Sequence, residues 1–190
     1  MIRFRPSLLL LAAAPALLLS GCGESVASSD APAAGSPAAA LAPPTPGPDG
    51  KVRLTAAEWR ARLTPAQFHI LREAGTERAG SGAYWRTDGK VGVYHCAACD
   101  LALFDSTSKF DSGTGWPSFT GPIAADRIIN KVDTTYGMVR TENVCSRCES
   151  HLGHSFEDGP PPTGLRYCMN SLSLRFVPAT PPAAPETGSK

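Results

Sequence analysis

The sequence predicts a mainly β domain preceded by two short helices, and three observations support this prediction. Capping patterns at Thr55-Ala-Ala-Glu58 and Thr64-Pro65-Ala66-Gln67 predict helices that run to Leu63 and to near Gly75. Beyond Gly75 the chain contains short strand-like runs bounded by Gly, Asp and Pro, for example 91–94, 128–132 and 138–141. No long alternation of strands and helices follows, which argues against a doubly wound parallel sheet.

The stretch from 166 to 176 contains the most informative cysteine, Cys168, in an alternating pattern that predicts one further strand. Side chains repeat with period two along a strand, so Arg166, Cys168 and Asn170 are expected to share a face. A neighbouring cation favours the thiolate, which is the nucleophilic form of cysteine. The alternative is a small apolar residue in a β core.

The N-terminus has the pattern of an export signal. An apolar run of twelve residues, Leu8–Leu19, follows two arginines and is short for a membrane span. The sequence Leu19-Ser20-Gly21-Cys22 resembles the bacterial lipobox, which makes residues 1–21 a lipoprotein signal peptide and Cys22 the lipidated first residue. The alternative is an ordinary cleavable signal with a chance cysteine. Gly23 after Cys22 resembles the sorting class of the outer membrane, so we expect a cell-envelope lipoprotein on the periplasmic side of that membrane in a diderm bacterium.

Composition divides the rest of the chain into three parts. Residues 22–51 are rich in Ala and Pro and predict a disordered tether, and residues 178–190 predict a disordered tail. Residues 52–177 are long enough for one modest core, and we expect this domain to be monomeric. The net charge of +1 and the lack of a basic cluster argue against nucleic acid as a partner.

Two Cys-x-x-Cys units, Cys96–Cys99 and Cys145–Cys148, are separated by 45 residues. Each unit can present two sulfurs to one ion, and two such units complete a closed, structural four-cysteine site. Four thiolates favour Zn²⁺, although iron could occupy the same geometry. Two disulfides, or a thioredoxin-like redox pair, are the alternatives.

Two histidines and an aromatic loop complete the candidate residues. His151 and His154 directly follow the second cysteine unit and could act as acid–base groups, as metal ligands or as structural residues. Trp116 lies in the glycine-rich run Ser112–Phe119, where it could wall a small apolar pocket or cover the core.

These segments, in this order, resemble the methionine-R-sulfoxide reductases of the MsrB type, and they cover nearly all of the predicted domain. The matching segments are Gly75-Thr-Glu77, the first cysteine unit with Leu103-Phe104, Lys109–Gly113 leading into Gly115–Phe119, the second cysteine unit leading into His151-Leu-Gly-His154, Phe156–Pro160, Arg166–Ser171 and Ser173–Phe176.

The resemblance implies a fold of two antiparallel sheets with short N-terminal helices, and thiol-dependent reduction of the R epimer of methionine sulfoxide in oxidised peptides or proteins. It implies that Cys168 is the nucleophile. The other implied residues are Trp116 and Phe156 for substrate binding, His151 and His154 for the sulfoxide oxygen, Arg166 and Asn170 as organisers of the nucleophile, and Cys96, Cys99, Cys145 and Cys148 as ligands of a structural zinc ion.

The sequence departs from the family pattern at Thr114, the place where many members carry a resolving cysteine. One cysteine is then assigned to lipid, four to metal and one to catalysis, so none is spare. We therefore expect a Cys168 sulfenic acid that is reduced by an external thiol, either a thioredoxin-like protein or a small thiol. Two other functions are weighed against this one: a zinc-organised binding module with Cys168 in its core, and a zinc enzyme with open coordination through His151 and His154.

Overall fold

The structure is a computed structural model, and it describes residues 41–180. The predicted signal peptide, the lipidation site Cys22, most of the tether and the end of the tail therefore lie outside the described residues. In the range 41–180, none of the helices is both long enough and apolar enough to cross a membrane. The domain boundaries at 52 and 177 stay predictions.

Both predicted helices are present. Helix α1 spans Ala56–Arg62 and helix α2 spans Pro65–Glu73, and each begins with a complete capping box. The side chain of Thr55 accepts a hydrogen bond from the N–H of Glu58, while the Glu58 carboxylate accepts one from the N–H of Thr55. These reciprocal bonds satisfy backbone donors that a helix start leaves free. The buried residues of the two helices are Trp59, Phe68, Ile70 and Leu71.

Within residues 41–180, nine strands follow the helices and form two sheets. They are β1 Gly92–Cys96, β2 Ala102–Asp105, β3 Lys109–Phe110, β4 Ser118–Phe119, β5 Ile128–Asp133, β6 Arg140–Cys145, β7 His151–Phe156, β8 Arg166–Met169 and β9 Leu174–Pro178. One sheet has the order β2-β1-β9 and the other β3-β4-β8-β7-β6-β5. Every pair of neighbouring strands is antiparallel, which confirms the predicted fold class.

Aromatic side chains connect the two sheets. The Phe104 ring on β2 stacks on the Phe119 ring on β4, with centroids 4.3 Å apart. The Tyr94 ring meets Phe119 edge-on at 5.1 Å, and Tyr167 on β8 tilts toward Phe104 at 6.1 Å. Aromatic pairs in these geometries bury much apolar area, so the core fixes strand β8, which carries Cys168, against the smaller sheet.

The prediction of one strand from 166 to 176 is wrong. A 3-10 turn at Ser171–Ser173 divides the run into β8 and β9, which lie in different sheets. The turn is held by a distant side chain, because the Glu77 carboxylate accepts hydrogen bonds from the N–H groups of Ser171 and Leu172. The hydroxyl of Ser173 also donates to the carbonyl of Asn170 at 2.7 Å.

The predicted strand at 138–141 is displaced. Strand β6 begins at Arg140 and continues to Cys145, because Thr135–Gly137 form a turn. The Asp133 carboxylate accepts hydrogen bonds from the N–H of Thr135, at 2.9 Å, and from its hydroxyl, at 2.7 Å. Such local side-chain bonds favour turns over strands.

Candidate active site and metal centre

The two cysteine units have the same local structure. In the first, the N–H of Asp100 donates to the carbonyl of Cys96 at 2.9 Å, and in the second the N–H of Glu149 donates to the carbonyl of Cys145 at 2.8 Å. Asp100 and Glu149 both adopt left-handed backbone conformations, with φ of 63° and 56°. One unit follows β1 of the smaller sheet and the other follows β6 of the larger sheet, so the cluster joins the two sheets.

The four sulfurs form a closed, buried cluster. The Sγ atoms of Cys96 and Cys148 are 3.7 Å apart, those of Cys99 and Cys145 are 3.5 Å apart, and all four lie within 4.8 Å of one another. Among the described residues these cysteines are free thiols, not disulfides. A tetrahedral ion with metal–sulfur bonds of about 2.3 Å separates its sulfurs by about 3.8 Å, so the residues fit a structural metal ion.

Electrostatics point in the same direction. The contacts with the sulfurs of Cys145, Cys148 and Cys99, together with burial, raise the pKa of the Cys96 thiol well above its ordinary value. Four thiolates cannot share this volume unless a cation neutralises them. His151 and His154 are absent from the cluster, so the donor set is complete without an open position.

Cys168 lies in the middle of the larger sheet. Strand β8 pairs with β4, where Ser118 is opposite Cys168, and with β7, where His154 is opposite Cys168. Residues that are directly opposite on neighbouring strands present their side chains on the same face. The sheet therefore places the His154 imidazole and the Ser118 hydroxyl on either side of the thiol.

The thiol opens into a cavity of about 130 Å³. Its wall includes Trp116, Arg140, His154, Phe156, Cys168 and Asn170. Two aromatic rings, a thiol and a few polar groups around a small volume suit a ligand with an apolar end and one polar atom. Cys168, Trp116, Phe156, His154 and Asn170 are thus brought together, as the resemblance to the MsrB type implied.

Burial and the neighbouring polar groups change the pKa of the Cys168 thiol in opposite directions. Burial raises the pKa of the thiol above its usual value of 9.0, while Arg166 and the hydroxyls of Thr114 and Ser118 lower it. Burial is the largest of these effects, so Cys168 is a thiol near neutral pH. The expected influence of the cation is present, but it does not by itself produce a resting thiolate.

Arg166 lies behind the cavity wall and is already paired. Its Nε and Nη2 atoms donate to the two carboxylate oxygens of Asp158, each at 2.8 Å, and its guanidinium covers the Phe156 ring at 4.5 Å. A bidentate pair has a fixed geometry. Arg166 therefore orients Phe156 as well as influencing Cys168.

A β-bulge places the two histidines on one face of β7. Gly153 is opposite Asn143 and His151 is opposite Val144, so one step along β6 corresponds to two steps along β7. Histidines three apart on a regular strand would point to opposite faces. Here their ring centroids are only 5.3 Å apart.

Only His154 lines the cavity. Its Nε2 donates to the Asp133 carboxylate at 2.8 Å, so Nδ1 is the ring nitrogen that takes no part in this hydrogen bond. Burial lowers the pKa of His154, although Asp133 opposes this effect, so the ring is neutral near pH 7. His151 lies behind it, with Nδ1 at 2.7 Å from a Glu142 carboxylate oxygen. Its Nε2 is buried and has no hydrogen-bond partner among the residues that the structure describes.

A group of hydroxyls lies beside Cys168. The Ser112 hydroxyl is 2.8 Å from that of Thr114 and 2.7 Å from that of Ser118. Thr114 therefore sits where the resemblance puts a resolving cysteine, close enough to lower the pKa of Cys168. The position is occupied by a hydroxyl that can hydrogen-bond but cannot form a disulfide.

Sequence reasoning missed several residues at this site. Asp133 holds His154 and is itself paired with Arg140 at 2.6 Å, and Glu142 holds His151. Glu77, which belongs to a matching segment but had no assigned role, contacts Asn170 and Trp116. The acidic residues between 126 and 142 gave no spacing signal, because the bulge and the hairpin turn decide which of them face the histidines.

Gly153 is required by the close approach of β7 and β8. A Cβ atom at this position would lie 2.1 Å from the carbonyl oxygen of Cys168. We expect Gly153→Ala to lower the free energy of unfolding by about 1–3 kcal/mol, the usual cost of overpacking, and to lower activity by moving Cys168 from His154. Thermal unfolding and turnover measure both effects. Gly121→Ala, where a Cβ has nothing within 4 Å, is the matched control. Wild-type stability and turnover in Gly153→Ala would show that the strands do not approach this closely.

Comparison with known proteins gives one consistent result. The family described as the SelR domain matches residues 63–178. The peptide methionine sulfoxide reductase MsrB of Thiobacillus denitrificans is 62% identical over 124 residues, which cover 65% of this chain and 93% of that protein. The proteins of the same name from Pseudomonas putida strain W619 and Agrobacterium fabrum are 55% and 56% identical over 128 residues, which cover 67% of this chain and 96% and 94% of those proteins. The chain therefore belongs to the MsrB family of peptide methionine sulfoxide reductases.

Proposed function

We propose that this protein reduces the R epimer of methionine sulfoxide in oxidised peptides and proteins, with Cys168 as the nucleophile. The observation that supports this most directly is the Cys168 thiol at the cavity walled by Trp116 and Phe156. A methyl sulfoxide has an apolar methyl group and one polar oxygen on the same sulfur. The aromatic rings suit the methyl group, and the polar wall suits the oxygen.

In the first step the Cys168 sulfur attacks the sulfoxide sulfur, and the oxygen passes to Cys168. The products are methionine and a cysteine sulfenic acid, so the substrate sulfur gains two electrons and the cysteine sulfur loses two. The thiol proton moves to the transferred oxygen, so the step is balanced without another proton source. Because Cys168 rests as a thiol, this proton is present when the substrate binds.

His154 carries that proton in our proposal. It is opposite Cys168 on the neighbouring strand, lines the cavity and is neutral near pH 7, so it can accept a proton and return it. The hydrogen bond to Asp133 fixes the ring and stabilises its charged form. His151 supports the position of His154, and Asn170 and Arg166 organise the strand that carries Cys168.

The second step uses a thiol from outside the chain. The four cluster cysteines are buried together, Cys22 is assigned to lipid, and Thr114 occupies the expected place of a resolving cysteine. An external thiol attacks the sulfenic acid, releasing water and forming a mixed disulfide. A second thiol then displaces Cys168 and leaves as part of a new disulfide. The donor is a thioredoxin-like protein or a small thiol.

The metal is structural and is Zn²⁺ in this proposal, held by Cys96, Cys99, Cys145 and Cys148; it joins the two sheets and takes no part in the reaction.

The proposal extends to the N-terminus, where residues 1–21 act as a lipoprotein signal peptide and Cys22 carries the lipid. The enzyme then acts as a monomer on the periplasmic side of the outer membrane. The pattern Leu19-Ser20-Gly21-Cys22 supports the lipidation, and Gly23 directly after it supports the outer membrane as the location.

An epimer-resolved assay tests the activity. The metal-loaded protein is supplied with dithiothreitol and with blocked methionine sulfoxide, and the loss of the R and S epimers is followed separately. Only the R epimer is expected to be consumed. Consumption of the S epimer would contradict the stereochemical assignment. If folded, metal-loaded protein consumed neither epimer, the fold would have been kept without this chemistry.

The missing resolving cysteine predicts how oxidised enzyme behaves. After one turnover without reductant, a Cys22→Ser variant is expected to hold a Cys168 sulfenic acid that dimedone traps, with no internal disulfide in peptide mass maps. In the Thr114→Cys variant the same treatment should give a disulfide between positions 114 and 168, which serves as the positive control. An internal disulfide to Cys168 in the Cys22→Ser protein would contradict the external-thiol step.

A further inference from the structure

Glu77 is a buried acidic residue that makes contacts on two sides. It is 9% exposed, and its carboxylate oxygens accept hydrogen bonds from the N–H groups of Ser171 and Leu172. These groups begin the turn that separates the catalytic strand β8 from β9. A carboxylate that is removed from water is stable only when its oxygens have such partners, so this contact is strongly specified.

The backbone of the same residue holds two walls of the cavity. Its carbonyl oxygen accepts a hydrogen bond from the indole Nε1 of Trp116 at 3.0 Å. Its N–H donates to the side-chain oxygen of Asn170 at 3.0 Å. Trp116 and Asn170 both line the cavity, and so does the preceding residue, Thr76. One residue thus connects the segment at 76–77 to the aromatic wall and to the end of the catalytic strand.

The space around the carboxylate is closely packed. A Cβ atom on Gly82 would lie 2.6 Å from a carboxylate oxygen of Glu77 and 2.1 Å from the Ser171 hydroxyl. The N–H of Tyr84 donates to the Ser171 hydroxyl at 3.2 Å. Gly82 therefore packs directly against this carboxylate and against the turn that the carboxylate holds.

We infer that Glu77 is a positioning residue that sets the place of the Trp116 indole relative to Cys168. The inference rests on the proposed function, because it concerns how the cavity receives the methyl sulfoxide. The carboxylate fixes the backbone of Glu77 to the turn after Cys168, and that backbone in turn fixes the indole. Without the carboxylate contacts, the aromatic wall is no longer held at a constant distance from the nucleophile.

Kinetics of Glu77→Gln test this role. The carboxamide offers one acceptor oxygen, and its NH₂ group would face one of the two backbone donors, so a hydrogen bond is replaced by a repulsive contact. We expect kcat/KM for the R epimer to fall by about 10-fold to 100-fold, with most of the change in KM. The rate at which iodoacetamide alkylates Cys168 should stay within about 2-fold of wild type, because the thiol itself is not contacted.

Asp105→Asn is the matched control. Asp105 also caps a 3-10 turn, accepting from the N–H of Thr107 at 2.8 Å, but it does not line the cavity. The Asp105→Asn variant is expected to keep the wild-type KM for the R epimer. The inference would be overturned if Glu77→Gln had the wild-type KM and the wild-type kcat, with kcat calculated per Cys168 thiol that iodoacetamide can alkylate. An alkylation rate that falls in parallel with turnover would also overturn it, because Glu77 would then act on the thiol and not on the indole.

A double-mutant cycle isolates the connection and does not depend on one variant. Trp116→Phe removes the indole donor, so the Glu77→Gln change should have a much smaller effect on KM in that background. Equal effects in both backgrounds would contradict the inference. If Glu77→Gln does not fold, Glu77→Asp replaces it in the cycle, since its shorter side chain cannot reach both N–H groups. Absence of R-epimer reduction by the wild type, with normal alkylation of Cys168, would contradict the proposed function instead.

Discussion

Cys168→Ser is expected to lower kcat/KM for the R epimer by about 10⁴-fold or more, the scale seen when a nucleophile is removed. A serine hydroxyl is a far weaker nucleophile than a thiol, and its oxygen cannot take up the sulfoxide oxygen as the Cys168 sulfur does when it becomes a sulfenic acid. The free energy of unfolding should change by less than about 1 kcal/mol, since the two side chains are similar in size and this position is half-buried.

The epimer-resolved assay and a thermal unfolding curve together check this expectation. Cys22→Ser, which removes a thiol outside the described residues, is the control and should keep full activity in the assay with dithiothreitol. If Cys168→Ser retained turnover of the R epimer, another group would have to supply the electrons. If it were inactive because it was unfolded, the curve would show this directly, and Cys168→Ala would separate the two cases.

Cys148→Ser is expected to have the largest effect on stability. Structural zinc sites have apparent binding free energies of about 10–16 kcal/mol, comparable with the whole free energy of unfolding of a domain, about 5–15 kcal/mol. The Cys148 sulfur is buried beside that of Cys96, and its partners come from both sheets. The variant should lose bound metal and show no cooperative unfolding transition near that of the wild type.

Metal content per chain and thermal unfolding measure this result. Ser146→Ala, inside the same cysteine unit but outside the sulfur cluster, should keep both the metal and the transition. Metal bound at wild-type level in Cys148→Ser, with an unchanged transition, would show that the four sulfurs are not a closed ligand set. Zinc and iron are distinguished by the same elemental measurement on the wild-type protein.

Local sequence patterns predicted the parts of this fold that depend on neighbouring residues. Thr55 and Thr64 form their capping boxes with residues three positions later, so the helix starts could be seen directly. The cysteine units likewise need only a tight local turn, and the structure brings all four sulfurs together. The run from 166 to 169 alternates as expected for a strand.

Long-range contacts explain what the sequence did not reveal. The break after Asn170 depends on the carboxylate of Glu77, more than ninety positions earlier, and nothing in the run itself indicates it. The bulge that lets His151 and His154 share a face depends on how β7 pairs with β6. Asp133 reaches His154 only because the β5–β6 hairpin brings it there. Pairing and register are tertiary properties, so single-sequence patterns could not supply them.

The short turn at Ser171–Ser173 also determines which side chains of β9 face the core once the chain has left β8. Buried Met169 precedes it, buried Leu174 follows it, and Arg175 is exposed. Because strand side chains alternate, losing or gaining one residue here would exchange the faces of β9 and turn Arg175 toward the aromatic core. The spacing between the nucleophile and the smaller sheet is therefore as constrained as the residues themselves.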